Sequence, residues 1–339
     1  MKKITYKFST TSTDFYFDSN FNQVEPLVRA KNTVFITDEN VFSLHQKKFK
    51  NLNLIVINAG EAFKIQATVD SIIEQLIQFK ANRTTILIGI GGGVVTDISG
   101  FVASVFMRGI DFAFIPTTIL GLVDASIGGK NGIDVGVFKN VVGTINQPKF
   151  ILHDLSFLKT LPDAEWQNGF AEIIKHACIG NKKMFNELTE NSIEKIKKNK
   201  DKLNIIIENN AKQKLKIVAN DEFEKGDRKL LNFGHTLGHA IENTYKLSHG
   251  QAISIGMIFA CKLSENILGF KQTNEVISLL NQYGLPTKFK LNSKKVFDVL
   301  VMDKKREEDF VHFILLEKIG KAVIKKVKLH TLKNALIQF

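Results

Sequence analysis

The chain has 339 residues, of which 44% are hydrophobic, and a formal net charge of +12. This length predicts two domains, and the composition excludes a disordered or low-complexity protein. No apolar run approaches the roughly 20 residues that cross a bilayer, and the start MKKITYKFST has no apolar signal core. We therefore expect a cytoplasmic protein without membrane contact. Its two cysteines are too few for a disulfide framework.

The positive charge raises the hypothesis of nucleic acid binding. The densest run, EKIKKNKDKLN at 194–204, mixes acids with lysines at helical spacing and lacks aromatic residues that could stack on bases. A solvated helix face is favoured, and we expect no nucleic acid partner. The competing hypothesis, a basic non-enzymatic binder, predicts nucleic acid affinity that falls steeply with salt.

Short β-branched runs alternate with helical patterns in the first half of the chain. Strands are predicted at 33–40, 52–60, 84–93 and 112–118, with a helix near 67–80. Strands that alternate with helices indicate a mostly parallel sheet, whose ligands bind at the carboxyl ends of the strands. The predicted fold class is α/β, with a Rossmann-like N-terminal domain.

After LKTLPDAEW (158–166) the pattern changes to long helical periods. Helices are predicted at about 164–180, 183–220, 230–246, 250–268 and 273–283, followed by a hairpin of FVHFILL and KAVIKKV. The sequence therefore predicts an α/β domain over residues 1–158 and a mainly α-helical domain over 159–339, with a cleft between them.

A glycine-rich turn, ILIGIGGGVVTD, follows a predicted strand and begins a predicted helix. Gly89, Gly91, Gly92 and Gly93 let the backbone approach a ligand, and the N–H groups at a helix start favour a pyrophosphate. The dinucleotide fingerprint GxGxxG is incomplete, because Val94 stands at its third glycine position. A tight strand-to-helix turn without a ligand stays the alternative.

A second glycine-rich stretch, PTTILGLVDASIGGKNGIDVGVFKNVVG, carries charged side chains. Thr117 and Thr118 stand at a strand end, and the following loop holds Asp124, Lys130, Lys139 and Asn140. Two lysines and an asparagine on flexible backbone suit an anionic, polyhydroxylated ligand. A plain surface loop would not need so many glycines beside its charges, so a binding function is favoured.

Three histidines lie in LNFGHTLGHAIENTYKLSHGQAISIGM. His235 and His239 are four residues apart and share one helix face, but the glutamate base of the HExxH zinc proteases is absent. Glu172 and Lys175 lie three residues apart in the apolar helix GFAEIIKHA, where a metal ion or a charged substrate would satisfy them. One glutamate with two histidines is typical of a catalytic zinc site, and hydrogen-bonded packing histidines remain the alternative.

Many motifs stand in one order along the chain: GGGVVTD, PTT, DASIGGK, KN, LKTLP, GFAEIIK, DExExGxR, LNFGHTLGH and SHG. This combination, from about residue 30 to about residue 320, resembles the 3-dehydroquinate synthase family of sugar-phosphate cyclases. The resemblance implies an NAD-binding α/β domain, a helical domain with a divalent metal, zinc or cobalt, and a homodimer. Two positions depart from the family pattern: Thr96 replaces Gly in GGGVVGD, and Gln251 replaces the Glu that often follows HG.

The resemblance also implies residue roles. It assigns the metal ligands to Glu172, His235 and His249, and it assigns His239 to the substrate. The implied NAD contacts are Asp38, Asn40, Glu61, Lys64, Gly92, Gly93, Asp97, Thr117, Thr118, Lys139 and Thr160. The implied catalytic and substrate residues are Arg108, Asp124, Lys130, Lys139, Asn140, Lys175, Lys214, Arg228, Asn232, His239 and Lys304, with Lys305 as the alternative to Lys304.

The implied reaction converts the small molecule 3-deoxy-D-arabino-heptulosonate 7-phosphate to 3-dehydroquinate and phosphate. Its steps are transient oxidation by NAD, β-elimination of phosphate, reduction, ring opening and aldol closure, so the enzyme would be a carbon–oxygen lyase of the shikimate pathway. The many lysines and arginines match the carboxylate and phosphate of this substrate. Another cyclase making a valiolone or inosose ring, and a metal-dependent polyol dehydrogenase that accumulates NADH, remain alternatives.

Overall fold

The computed structural model describes residues 1–28, 32–136, 138–302, 306–307 and 309–339. Lys304 and Lys305, predicted to contact the substrate, lie outside the described residues. Two compact units are present. Unit 1 comprises Met1–Glu165 and Ile207–Phe223, and unit 2 comprises Trp166–Ile206 and Glu224–Phe339.

These units do not coincide with the predicted ranges 1–158 and 159–339. Residues 207–223, from the predicted helical domain, belong to unit 1 because Ala211 and Leu215 are buried in its core. The predicted division into two domains stays a prediction.

Unit 1 is built around a sheet of seven strands. In chain order the strands of unit 1, including two outside this sheet, are β1 (Lys2–Lys7), β2 (Ser12–Phe17), β3 (Thr33–Asp38), β4 (Leu54–Ile57), β5 (Ile86–Gly91), β6 (Asp111–Pro116), β7 (Lys130–Val135), β8 (Phe138–Ile145) and β9 (Phe150–Leu152). The order across the sheet is β1-β2-β9-β6-β5-β3-β4, and β7 and β8 form a separate antiparallel hairpin. All neighbours in the sheet are parallel except β1 and β2, which confirms the predicted mostly parallel sheet.

The helices α1 (Glu39–His45), α2 (Gln66–Gln78) and α3 (Gly93–Val105) lie entirely in unit 1. Helix α2 buries Val69, Ile72 and Leu76, which share one face at spacings of three and four residues. The strands predicted from 33 to 118 and the helix near 67–80 are confirmed within a few residues at their ends. The hairpins β1–β2 and β7–β8 were not predicted.

Unit 2 is mainly helical. Continuing along the chain, the helices are α4 (Asp163–Gly180), α5 (Lys182–Thr189), α6 (Ile193–Lys197), α7 (Lys200–Asn220), α8 (His235–Thr244), α9 (His249–Leu268), α10 (Thr273–Gln282), α11 (Ser293–Met302) and α12 (Leu329–Gln338), with α7 continuing into unit 1. The strands β10 (Arg306–Glu307), β11 (Phe310–Lys318) and β12 (Lys321–Lys328) form an antiparallel sheet that includes the predicted hairpin.

Helix caps explain why the predicted helix 183–220 is three helices. The Ser192 hydroxyl accepts a hydrogen bond from the Lys195 N–H, and the Asn199 side chain accepts one from the Lys202 N–H. Such side chains satisfy the first N–H groups of a helix, so α6 and α7 each begin anew. None of the described helices combines the length and apolarity needed to cross a membrane.

Candidate active site

The first feature is a buried carboxylate on α4. Glu172 has an exposed fraction of 0%, and Lys175, three residues later on the same helix, has 1%. One carboxylate oxygen, Oε2, forms an ion pair with the Lys175 ammonium. The sequence predicted that both charges face one direction, and the structure adds that they pair with each other. The other oxygen, Oε1, faces two histidines.

These histidines begin two different helices. His235 is the first residue of α8 and His249 the first of α9. Their Nε2 atoms lie 3.5 Å and 3.3 Å from Glu172 Oε1, respectively. One ligand atom from each of the three residues lies within 4.8 Å of the others. The donor chemistry of this cluster suits a divalent metal ion with room for a further ligand.

Glycines allow the three helices to approach each other. A Cβ on Gly250 would lie 2.7 Å from Asn168 Cα, so the start of α9 packs directly on α4, one turn before Glu172. The Gly250 N–H also donates to Asn168 Oδ1 at 3.1 Å. On α8, a Cβ on Gly238 would lie 2.7 Å from Ile253 Cδ1. These close approaches bring His249 beside Glu172 and His235 beside His249.

The outer nitrogen of each histidine has its own acceptor. His235 Nδ1 lies 3.1 Å from the Phe233 carbonyl oxygen, and His249 Nδ1 lies 3.5 Å from Glu242 Oε2. Burial and the Lys175 ammonium hold the pKa of His235 well below its usual range. Burial alone would lower the pKa of His249, but Glu172 and Glu242 outweigh it and raise that pKa to about 10. Glu172 therefore favours positive charge next to Nε2 of His249, which is where a bound metal ion would supply it.

His239 lies next to this cluster. It is half-buried, and its ring centroid lies 5.2 Å from that of His235 and 6.5 Å from that of His249. It shares one face of α8 with His235, as predicted from their spacing. The compact donor set contains His235 and His249, whereas the predicted substrate role of His239 stays a prediction.

A 3₁₀ turn at Asp227–Asn232 carries two further predicted substrate residues in unit 2. Arg228 is buried with 2% exposure, and Asn232 is half-buried. The Asn232 amide donates to Glu224 Oε1 at 2.7 Å. Glu224 was missing from the predicted set, although it lies in the quoted motif DExExGxR, which was the signal that could have found it.

The carboxyl ends of the strands in unit 1 carry most of the predicted cofactor residues. Asp38 ends β3, Gly92 and Gly93 follow β5, and Thr117 and Thr118 follow β6. Helix α3 begins after Gly92, which has no side chain to cap it, so its first N–H groups point toward the sheet edge. A Cβ on Gly92 would lie 3.1 Å from Thr118 Cγ2 and one on Gly93 3.2 Å from Ala125 Cβ, which leaves little room for side chains.

Strand order identifies the same edge independently. Strand β3 has β4 on one side and β5 on the other, so the chain reverses its direction of travel across the sheet at β3 and β5. In open α/β sheets, ligands bind outside the carboxyl ends of strands at such a switch point. Asp38 and Gly92 stand at the two strand ends that define it.

A buried lysine, Lys64, contacts two other predicted residues of unit 1. Lys64 Nζ lies 2.5 Å from both Asp97 Oδ2 and Asn140 Oδ1. Burial by itself lowers the pKa of Lys64, but Asp97 and Glu61 outweigh it and raise that pKa above its usual value. Lys139, beside Asn140 on β8, lies 3.9 Å from Glu61 Oε1. The predicted residues therefore form a connected charged group.

A second lysine in unit 1 comes from α7. Lys214 Nζ lies 2.5 Å from Asp124 Oδ1 and donates to the Asp124 carbonyl oxygen at 2.6 Å. The exposed fraction of Lys214 is 8%. This pair joins two predicted substrate residues that are 90 positions apart in the sequence.

The remaining predicted residues lie at the surface of unit 1. Thr160 Oγ1 lies 2.8 Å from His45 Nε2, at the end of α1. Lys130 begins β7, and Arg108 has a left-handed backbone with φ of 65°. Asn40, Arg108 and Lys130 are exposed.

Comparisons with known proteins agree with the motifs. The family profile described as 3-dehydroquinate synthase N-terminal matches residues 54–168, and the one described as 3-dehydroquinate synthase C-terminal matches residues 169–306. The chain is 39% identical over 327 residues to the 3-dehydroquinate synthase of Thermoanaerobacter pseudethanolicus, covering 92% of each chain. The chain belongs to the 3-dehydroquinate synthase family. A relative of that name from Saccharolobus solfataricus is 40% identical over 299 residues, covering 85% of this chain and 84% of the relative.

Solved structures related to this 3-dehydroquinate synthase family member share its fold. A 2-deoxy-scyllo-inosose synthase with carbaglucose-6-phosphate, NAD+ and Co2+ has a TM-score of 0.86 at 24% identity, covering 99% of this chain and 100% of that chain. A 2-epi-5-epi-valiolone synthase from Streptomyces hygroscopicus with NAD+ and Zn2+ has a TM-score of 0.87 at 25% identity, covering 98% of both. The predicted α/β plus helical fold is thereby confirmed.

The two departures from the family pattern have local explanations. The Thr96 hydroxyl donates to the Gly93 carbonyl oxygen of its own helix at 3.0 Å, and Thr96 is fully buried. Gln251 and Ser248 form a capping box at the start of α9, in which Gln251 Oε1 accepts from the Ser248 N–H at 3.0 Å. Both side chains therefore bond to their own helix ends.

Proposed function

We propose that this member of the 3-dehydroquinate synthase family converts 3-deoxy-D-arabino-heptulosonate 7-phosphate to 3-dehydroquinate and phosphate. The observation that carries the proposal is the Glu172, His235 and His249 cluster in a chain that is 39% identical to a 3-dehydroquinate synthase over 92% of its length. The enzyme is then a carbon–oxygen lyase of the shikimate pathway, although its cofactor is that of a dehydrogenase.

Two bound groups belong to this proposal, NAD and a divalent metal ion, zinc or cobalt. When bound, NAD would accept and return a hydride, and the metal ion would stabilise negative charge on the substrate oxygen. Glu172, His235 and His249 would hold the metal ion, and their converging oxygen and nitrogen atoms fit it. The solved synthases with NAD+ and Co2+ or Zn2+ support this pair of groups.

The sheet edge of unit 1 would bind NAD. The N–H groups at the start of α3 would hold the pyrophosphate, because the partial positive charge of a helix start attracts anions. The cofactor set is the predicted one: Asp38, Asn40, Glu61, Lys64, Gly92, Gly93, Asp97, Thr117, Thr118, Lys139 and Thr160. The Lys64 ion pair with Asp97 would keep the floor of this site rigid.

Cationic and amide side chains would bind the substrate, which carries a carboxylate and a phosphate. The proposed residues are Arg108, Asp124, Lys130, Lys139, Asn140, Lys175, Lys214, Arg228, Asn232 and His239. Fixed ammonium and guanidinium groups orient such anions through charge-assisted hydrogen bonds. Lys214 and Asn232 are already held by Asp124 and Glu224, which limits the entropy lost when a ligand binds. The departing phosphate itself can take the proton, so no strong protein base is required.

The related cyclases are the nearest alternative. The structures of the inosose and valiolone synthases match the fold closely, but they are only 24% and 25% identical to this chain. Curated 3-dehydroquinate synthases reach 40%. The sequence therefore favours the dehydroquinate reaction.

We also propose a cytoplasmic homodimer. The β7–β8 hairpin presents exposed apolar side chains, among them Phe138 at 61% and Val135 at 49% exposure. Burying such side chains against a second copy would remove apolar area from water. Light scattering on the purified protein would then give twice the chain mass of 38.1 kDa.

One assay tests the proposed reaction. The heptulosonate phosphate is supplied with NAD+ and Zn2+, and phosphate release is followed together with the absorbance of NADH. We expect stoichiometric phosphate and 3-dehydroquinate without lasting NADH. Lasting NADH would instead indicate a polyol dehydrogenase, and turnover of sedoheptulose phosphate or glucose phosphate alone would indicate another cyclase.

A further inference from the structure

One carboxylate beside the proposed metal cluster has no role in the reaction so far. Glu242 lies on α8, seven residues after His235 and three after His239, so the three side chains share one helix face. Its side chain is 12% exposed, and Oε2 lies 3.5 Å from His249 Nδ1. Nε2 of the same imidazole lies 3.3 Å from Glu172 Oε1. The ring of His249 is thus held between two carboxylates.

The two proposed histidine ligands are oriented in different ways. His235 Nδ1 lies 3.1 Å from a backbone acceptor, the Phe233 carbonyl oxygen, which is present whatever side chain stands at position 233. His249 Nδ1 instead lies 3.5 Å from a side-chain carboxylate oxygen, Glu242 Oε2. It is also the more accessible imidazole, with 27% of its side chain exposed against 10% for His235. An accessible ring has more freedom to rotate, so His249 needs an external acceptor more than His235 does.

We propose that Glu242 is a positioning residue for the metal ion, and this inference rests on the proposed metal site. Its carboxylate holds the proton of His249 on Nδ1 and fixes the ring, so that Nε2 faces the ion. A carboxylate behind a histidine ligand selects the tautomer, orients the ring and increases the basicity of the ligating nitrogen. Helix α8 then supplies one ligand of its own and orients the ligand supplied by α9.

The test compares zinc affinities of purified proteins by competition with a chromophoric chelator. Glu242→Ala should weaken zinc binding by about 10–100-fold, the usual effect of losing an outer partner. Glu242→Gln keeps the volume and one acceptor oxygen, so its loss should be smaller than that of Glu242→Ala. Glu265→Ala is the matched control, because Glu265 also lies on a helix of this unit, α9, where it pairs with Lys262 at 3.0 Å. This substitution should leave zinc affinity unchanged.

Thermal unfolding of the metal-free proteins separates positioning from a general loss of structure. If Glu242→Ala does not fold, the volume-conserving Glu242→Gln decides, and a zinc affinity equal to that of the wild type would overturn the inference. The inference is also overturned if Glu242→Ala folds and binds zinc as tightly as Glu265→Ala. That outcome would leave the proposed metal site intact. If Glu172→Gln also binds zinc like the wild type, the metal site itself is wrong and the inference falls with it.

The absorption spectrum of the Co2+ protein gives a second readout. The visible bands of Co2+ depend on the geometry of its ligands. A displaced His249 ring should change these bands in Glu242→Ala, with partial recovery in Glu242→Gln and none of the change in Glu265→Ala. Identical spectra for all these proteins would contradict a positioning role.

Discussion

The two units build their proposed binding sites from different parts of the chain. In unit 1 the sheet edge offers backbone N–H groups at the start of α3, and Lys64 and Lys214 already have acidic partners at 2.5 Å. In unit 2 the site consists of side chains from α4, α8 and α9, and one oxygen, Glu172 Oε1, faces two imidazole nitrogens. The site of unit 1 combines backbone donors with several side chains, whereas the metal site of unit 2 depends on three side chains.

This difference predicts how each site responds to substitution. A substitution does not remove a backbone donor, so substitutions in unit 1 should weaken NAD binding only in part. The metal site has only three donor residues, so none can replace another. When one is substituted, the other two remain buried without the ion that their charges require. Substitutions in unit 2 should therefore have larger effects than those in unit 1.

The largest expected effect is the loss of a proposed metal ligand. His235→Ala and His249→Ala should lower zinc affinity by more than the ~100-fold upper range for an outer partner, because a donor atom itself is removed. His239→Ala should keep zinc and lose activity, which makes it the control within the same histidine cluster. Metal analysis and chelator competition on the three variants measure this. Equal loss of zinc from His239→Ala would contradict the proposed division of roles.

The next effect concerns a glycine that allows α9 to contact α4. Gly250→Ala places a Cβ 2.7 Å from Asn168 Cα, and because that atom is backbone, the helices must separate. Overpacking of this kind costs about 1–3 kcal/mol and would move His249 away from Glu172. We expect a lower free energy of unfolding and weaker zinc binding. Lys262→Ala, at an exposed position of α9, is the control for both measurements. Unchanged zinc affinity in Gly250→Ala would show that helix spacing does not set the metal geometry.

Much of the fold follows from the sequence, because its signals are local. The runs of β-branched residues predicted β3 to β6, and the helical periods predicted α4, α9 and α10. The β7–β8 hairpin was predicted as a loop, because its glycines and lysines are typical of loops. In the structure Gly132 pairs with Gly143, and a Cβ on Gly132 would lie 2.6 Å from the Val142 carbonyl oxygen. Only the partner strand reveals that these glycines permit a close pairing.

For the site, the sequence predicted only the residues that the family motifs contain. Glu172, His235 and His249 come from separate motifs, and their meeting depends on the glycine contacts between α4, α8 and α9. Glu242 received no role from the motifs, since a contact to another side chain leaves no spacing signal. Glu224 was missed although it lies in the motif DExExGxR. The capping role of Gln251 was also unpredicted, although Ser248 stands three residues before it.

A smaller, graded effect is expected in unit 1 from Lys64→Gln. The substitution removes the ammonium at 2.5 Å from Asp97 and Asn140 but keeps the backbone of the glycine turn. A hydrogen bond to a charged group contributes about 1.5–3 kcal/mol, part of which solvent and the amide recover, so NAD+ affinity should fall about tenfold. Fluorescence titration of NAD+ measures this, with Lys80→Gln, an exposed lysine of the same unit, as control. Complete loss of NAD+ binding would show that side chains, and not the backbone, make this site.

The smallest effect is expected from Gln251→Glu, which restores the residue common in the family. Gln251 Oε1 accepts from the Ser248 N–H, and a glutamate accepts equally well at this position of a capping box. Its negative charge at the start of α9 should stabilise the helix by about 0.3–1 kcal/mol. Since the side chain is directed to Ser248, zinc affinity should stay within about threefold of the wild type, a change of under ~0.7 kcal/mol. Urea unfolding and chelator competition measure the two quantities. A zinc affinity that rises tenfold would mean that the charge at position 251 acts on the metal ion, and that the helix cap is not its main role.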